Sequence, residues 1–268
     1  AATIDDTTAE AIRTTATEAT SEAITNANAN DGNPFSFAAS VSNGSSSSSL
    51  ANTVTDIART AVAQMQSQNL PVGLTLSATD LGPEFCGGSI TVPDNFAQTT
   101  TLSGSMTFSN LCFDDGINGQ ITMNGTVSFS ETATTTTISY TNFSITINGQ
   151  TETINGTINC DTNTFTCTFT TDYVSVDGKT YRVADFTIGG SDTFGYTINA
   201  TFYHPDLGSV TIQTTTPITF ASTGKPNGGT LEFTSGTATG TITFNSDGLG
   251  YTGSWSDGGN GGSFSGTW

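Results

Sequence analysis

Positive charge is the scarcest property of this chain. Five cations, Arg13, Arg59, Lys179, Arg182 and Lys225, stand against 23 Asp and Glu in 268 residues, for a formal net charge of −18 at pH 7. Five scattered cations cannot neutralise a row of phosphates, so nucleic acid is excluded as a main partner. The same sign excludes attraction to an anionic membrane surface. Long hydrophobic runs are missing as well. No stretch approaches the roughly 18 consecutive apolar residues of a membrane-spanning helix, so no transmembrane helix is expected. No two cysteines have the C-x-x-C spacing and histidine occurs once, so neither a metal centre nor a cofactor is expected. The D-x-D-x-D-G spacing of a calcium loop and the G-x-S-x-G of a nucleophile elbow are also absent.

The catalytic constellations that remain are weak. His204, in Tyr-His-Pro-Asp, reads as a turn histidine at a strand end rather than the base of a Ser-His-Asp relay with Asp206. The carboxylates are dispersed over turns and helix starts. Even the adjacent Asp114 and Asp115 sit inside a turn signal, so no acid/base pair of the glycosidase kind stands out. The chain is not expected to be an enzyme.

Threonine and serine, by contrast, make up about a third of the residues. Thr runs such as ATTTTISY and TIQTTTPITF lack a fixed period, which reads as hydroxyls on the wet face of strands rather than an ice-binding ladder. Four cysteines in such a composition predict two disulfides and an oxidising compartment. Cys160 and Cys167 flank a turn-like Asp-Thr-Asn and pair across a hairpin, which leaves Cys86 to Cys112. The opening Ala-Ala-Thr, without Met, basic region or apolar run, reads as a mature start after signal-peptide removal.

Two helical segments are expected before residue 71. Residues 5–28 begin with a Thr7/Glu10 capping box and carry a thin stripe, Ile12, Ala16, Ala19, Ala23 and Ile24. Mostly alanine, this stripe buries little area on its own domain, which suits it to docking on a neighbour. A Ser-rich linker at 31–49 gives it reach. The second helix, about residues 50–69, has the stronger face of Leu50, Val54, Ile57, Ala61 and Met65, and Pro71 stops it.

From residue 71 to 268 the period is two, punctuated by turn signals such as INGQ (147–150) and HPDLG (204–208). In SYTNFSITI the apolar phase slips between Tyr140 and Phe143, which places a bulge near Thr141 and Asn142. About a dozen strands in hairpin order predict a mainly β chain: an antiparallel meander folded as a sandwich or curled barrel-like sheet, with two helices. A dozen strands span roughly 58 Å, of which two helices cover about 20 Å, so the rest of the apolar face needs the sheet itself or another subunit. Five N-x-S/T sequons (Asn43, Asn124, Asn142, Asn155, Asn199) read as chance in this composition. The aromatic, glycine-rich C-terminus (Tyr251, Trp255, Phe264, Trp268) suits core packing, a sugar-stacking face, the closing strand of an outer-membrane barrel or a strand given to a neighbour.

Four stretches, CGGSITV, LSGSMTFSNLCFDDG, MNGTVSFS and TTTPITF…GTLEFTSGTATGTITFNSDG, resemble a set of secreted or lipoprotein-like Thr/Ser-rich β proteins of Gram-negative bacteria, over about residues 84–247. The resemblance implies export and a β fold and carries no catalytic residue. The first residue is Ala1 where a lipoprotein has a lipidated Cys. Together these features point to an exported structural protein of the extracellular space or cell surface, a filament or fimbrium-like subunit joined to copies of itself by exchange of terminal segments. The alternative is a monomeric glycan- or lipid-binding module of the cell surface or periplasm, using the concave side of a curled sheet.

Overall fold

An apolar stripe at three- and four-residue steps makes Leu50–Ser67 a helix, α1, in the computed structural model of the chain. The structure describes residues 50–68, 70–71, 73–93, 96–98, 101–114, 120–161, 163–164, 166–175, 178–191, 193–206, 208–221 and 225–267. The expected first helix and the Ser-rich linker lie outside them. Along α1, Val54, Ile57, Ala58, Ala61, Val62 and Met65 are buried while Asp56, Arg59 and Ala63 face out. Each larger side chain so buried contributes ~1.5–3 kcal/mol. The Leu70 amide bonds back to the Met65 carbonyl at 2.9 Å and closes the last turn before Pro71.

Beyond α1 the chain is mainly β, and the pairings are antiparallel between strands close in sequence. It divides into two compact units. The first, Ala51–Asn163 with Phe169–Tyr181, holds α1, a one-turn helix α2 (Ala78–Leu81) and seven strands. These are β1 (Thr75–Ser77), β2 (Phe85–Thr91), β3 (Ala97–Gln98), β4 (Leu102–Asp114), β5 (Gln120–Glu131), β6 (Thr135–Ile147) and β7 (Gln150–Asp161). Their order is β1-β2-β4-β5-β6-β7, with β3 beside β4. Strand β8 (Thr166–Val174) contributes residues to both units. The second unit holds β9 (Thr180–Ser191), nearly all of it, then β10 (Gly195–His204), β11 (Gly208–Phe220) and β12 (Pro226–Ser235). It continues through β13 (Ala238–Phe244), β14 (Gly250–Asp257) and β15 (Asn260–Thr267), in that order. Three- and two-residue strands such as β1 and β3 are too short to show alternation, which is why sequence reasoning counts fewer. Glu131 pins the first unit together: Arg59 Nη2 donates to its Oε1 at 2.8 Å, and the Leu102 amide donates to its Oε2 at 2.7 Å.

A line of bulges crosses the first unit. Asn110 on β4 and Asn142 on β6 have positive φ, 48° and 46°, and the pairing register breaks beside each. The bulge on β6 falls on Thr141 and Asn142, where the apolar phase slips in the sequence. Each bulged amide is held by an Asn on the following strand: Asn110 N–H donates to Asn124 Oδ1 and Asn142 N–H to Asn155 Oδ1, both at 2.7 Å. On the other side each bulge presses on a glycine. A Cβ at Gly88 would run into Asn110 backbone, and one at Gly125 into Asn142 backbone. The bulges keep one face apolar along strands of 13 residues: Met106 and Phe108 are followed by Leu111, and Ile138 and Tyr140 by Phe143. The motif recurs as TMNGTV (122–127), TINGTI (153–158) and TINATF (197–202), so three of the sequons are repeated structural elements. In the third copy the register breaks between Asn199 and Thr201, opposite Asp185 with its φ of 53°.

Glycines also stand opposite aromatic rings. Registered cross-strand pairs include Phe108 with Gly125, Phe129 with Gly104, Tyr140 with Gly156, Tyr196 with Gly190 and Phe233 with Gly240. At Gly240 a Cβ would enter the Phe233 ring, so the ring lies across the neighbouring strand where no side chain competes. The rings meet one another too, as in the edge-on pair Phe108–Phe143 at 5.3 Å. One buried polar atom gains nothing from this packing: the Tyr140 hydroxyl has no hydrogen-bond partner, and burial pushes its phenol well above the ordinary pKa.

Three substitutions read this packing directly. Gly240→Ala forces the Phe233 ring aside and is expected to lower unfolding free energy by about 1–3 kcal/mol. Gly87→Ala, with open space around the new methyl and an ordinary backbone, changes it little in the same denaturant titration. Tyr140→Phe removes the unpartnered hydroxyl and is expected to raise stability by about 1 kcal/mol. A loss in that titration contradicts the burial described.

Candidate functional site

The C-terminal hairpins of the second unit present a regular surface. Along β13 residues alternate strictly, with Ala238, Gly240, Ile242 and Phe244 buried and Thr239, Thr241 and Thr243 exposed. Antiparallel register then aligns hydroxyls that have no common period in the sequence. Thr243 faces Thr252, which faces Ser265; Thr241 faces Ser254, which faces Ser263; Thr239 faces Ser256. Thr241 and Ser254 share a hydrogen bond at 3.2 Å, and Thr230 and Thr243 one at 3.4 Å. The first unit has a similar row, Ser105–Ser128–Ser139–Thr157, with hydroxyl contacts of 2.7 Å and 2.9 Å at its two ends. On β13–β15 no outward position carries a charge.

The opposite face of these strands follows the glycine–ring rule. Tyr251 stands opposite Gly266, Phe264 opposite Gly253, and Trp255 opposite both Gly240 and Gly262. A Cβ at Gly253 would enter the Phe264 ring, and one at Gly266 the Tyr251 ring. Tyr251 and Phe264 are thus laid over glycines on the face away from the hydroxyl rows. Trp268 lies outside the described residues.

At the end of this arrangement β15 pairs with β14 alone among the described residues. Its sequence, NGGSFSGT, has no charge and no proline, and its eight pairs with β14 run from Asp257–Asn260 to Gly250–Thr267 without a register break. Exposed edge strands are ordinarily blunted by charge, proline, a bulge or shortness. This one has none of these, whereas β1 is only three residues long.

The remaining residues singled out in the sequence are placed as follows. Two disulfides are present. Cys86 and Cys112 join β2 to β4 with Cα atoms 5.1 Å apart, and Cys160 and Cys167 are also disulfide-bonded, with no cysteine free. His204 Nδ1 accepts the Asp206 amide at 3.1 Å, a local turn bond. Asp114 ends β4, and Asp115 lies outside the described residues. So does the whole stripe of Ile12, Ala16, Ala19, Ala23 and Ile24. Among the described residues no three His, Cys, Asp or Glu side chains gather as metal ligands, and no helix is long and apolar enough to cross a membrane. Sequence reasoning missed the glycine–ring pairing, although a signal existed in the recurrent x-G-[TS]-x-x-[aromatic] of SGSMTF, NGTVSF, GGTLEF and TGTITF. Compared with known protein families, curated proteins and solved structures, the chain matches none.

One carboxylate departs from ordinary behaviour. Glu152 on β7, opposite Ile145, is half-buried, and desolvation raises its pKa. The folded state therefore holds this proton more tightly than the unfolded chain, and the residue costs stability as pH rises through and above the ordinary glutamate range. Glu152→Gln is expected to raise the melting temperature at pH 7 and to leave it unchanged near pH 3. A variant equally displaced at both pH values rules out this assignment.

Proposed function

We propose that this is an exported structural protein that associates with copies of itself outside the cell, rather than an enzyme. The observation that carries the reading is the β15 edge: eight residues, uncharged, regular and, among the described residues, unpaired on one side. Main-chain groups along such an edge are a template for another strand. The disulfides suit an oxidising compartment, in line with the resemblance to secreted β proteins of Gram-negative bacteria. In this reading residues 1–45, with their alanine-rich stripe, supply a second contact by docking on a neighbouring subunit.

The test is the size of the purified protein as a function of concentration, by light scattering and negative-stain microscopy. Species larger than the monomer are expected, growing with concentration. A strict monomer across the range overturns the reading and favours a monomeric binding module.

A further inference from the structure

Resting on the self-association reading, we infer that β15 pairs with β15 of a second copy, antiparallel, about a two-fold axis through Ser263. Two observations lead there. The first is the alternation of faces. Positions 261, 263, 265 and 267 share the hydroxyl face, and 262, 264 and 266 share the ring face. In an antiparallel pair, directly opposed side chains lie on the same face. The full eight-residue overlap, which sets Ser263 against Phe264, would put hydroxyl face against ring face and is excluded. The nearest permitted registers are one residue to either side, centred on Ser263 or on Phe264.

The second observation chooses between them. In both units aromatic residues recurrently stand opposite glycines, as Phe108 and Gly125, Tyr140 and Gly156, Phe233 and Gly240, Tyr251 and Gly266, Phe264 and Gly253, while ring faces ring in register at Phe85–Phe113 and Phe244–Tyr251. Centring on Ser263 sets Phe264 of each copy opposite Gly262 of the other, and Ser265 opposite Gly261. Ser263 then faces Ser263 of the second copy and extends the Thr241–Ser254–Ser263 hydroxyl row across the junction. Centring on Phe264 instead sets ring against ring and leaves Gly262 facing Gly266, with no side chain to cover either. The Ser263 register continues the rule of the sheet into the second copy. The strand itself, Asn260–Thr267, carries no charge that would face its copy. A two-fold contact closes on itself, so the edge builds a dimer and any longer assembly needs another surface.

The register makes the prediction specific. With Ser263→Cys the two thiols face each other across the axis, at the spacing of opposed strand residues, within reach of a disulfide. With Ser265→Cys the thiols are four residues out of register, about 14 Å apart along the strands, and cannot bridge. Both positions are exposed, so both full-length variants should fold as the parent does. Mild oxidation, non-reducing electrophoresis and peptide mapping of the native disulfides are the readouts. Ser263→Cys is expected to convert largely to a covalent dimer and Ser265→Cys to remain at background. If Phe264→Cys cross-links and Ser263→Cys does not, the register is overturned. If the parent associates by light scattering yet none of the three cross-links, this edge is not the contact, while the proposed function stands. If the parent is a strict monomer, both fall.

Discussion

A ring laid across a glycine of the neighbouring strand is the contact on which this structure most depends. A chain with so many Gly, Thr and Ser has few large apolar side chains for its length, so each must cover more than its own position. Phe233 over Gly240, Phe264 over Gly253 and Tyr251 over Gly266 do so. The glycine has no side chain to bury and leaves its backbone bare. The ring supplies the missing apolar surface from the next strand and is itself removed from water. The arrangement also defines register, because a slip of one residue turns every ring to the hydroxyl face.

The bulges solve a related problem. Strands of 12 and 13 residues twist, and a strict two-residue period carried through them would move the apolar side chains off their common surface. An extra residue at Asn110 and at Asn142 resets the phase part-way along. Its displaced amide is taken by an Asn side chain and its displaced carbonyl side meets a glycine. Asn-Gly in the middle of β5 and β7 therefore serves two neighbours at once, Asn toward the preceding strand and Gly toward the next. The dipeptide is a poor strand former, and its repeated presence in strand centres is explained by this double duty.

These two devices separate the faces so completely that the outer one is left to hydroxyls. Rows such as Ser105–Ser128–Ser139–Thr157 arise because β-branched or small polar residues fit a wet strand face. The acidic residues that give the chain its charge avoid the outward positions of β13–β15. Strands β13–β15 carry no outward charge and the last of them is not blunted, which is the local physical basis of the proposed self-association.

Much of this was legible in the sequence for simple reasons. Period decides element type, so helix α1, the antiparallel meander and even the bulge at Thr141–Asn142 follow from where apolar residues recur. Composition decides net charge and how many disulfides are possible, because five cations and four cysteines are properties of the chain and not of its shape. Tertiary structure decided what depends on register. The hydroxyl rows have no period along the chain and exist only because hairpin turns such as Asn148-Gly149 align one strand against the next. The role of Asn124 and Asn155 as holders of a neighbour's amide, and the partnership of rings such as Phe233 and Phe264 with a glycine on the neighbouring strand, are cross-strand relations. A linear sequence lists the two partners separately. Only pairing them in space shows that one exists for the other.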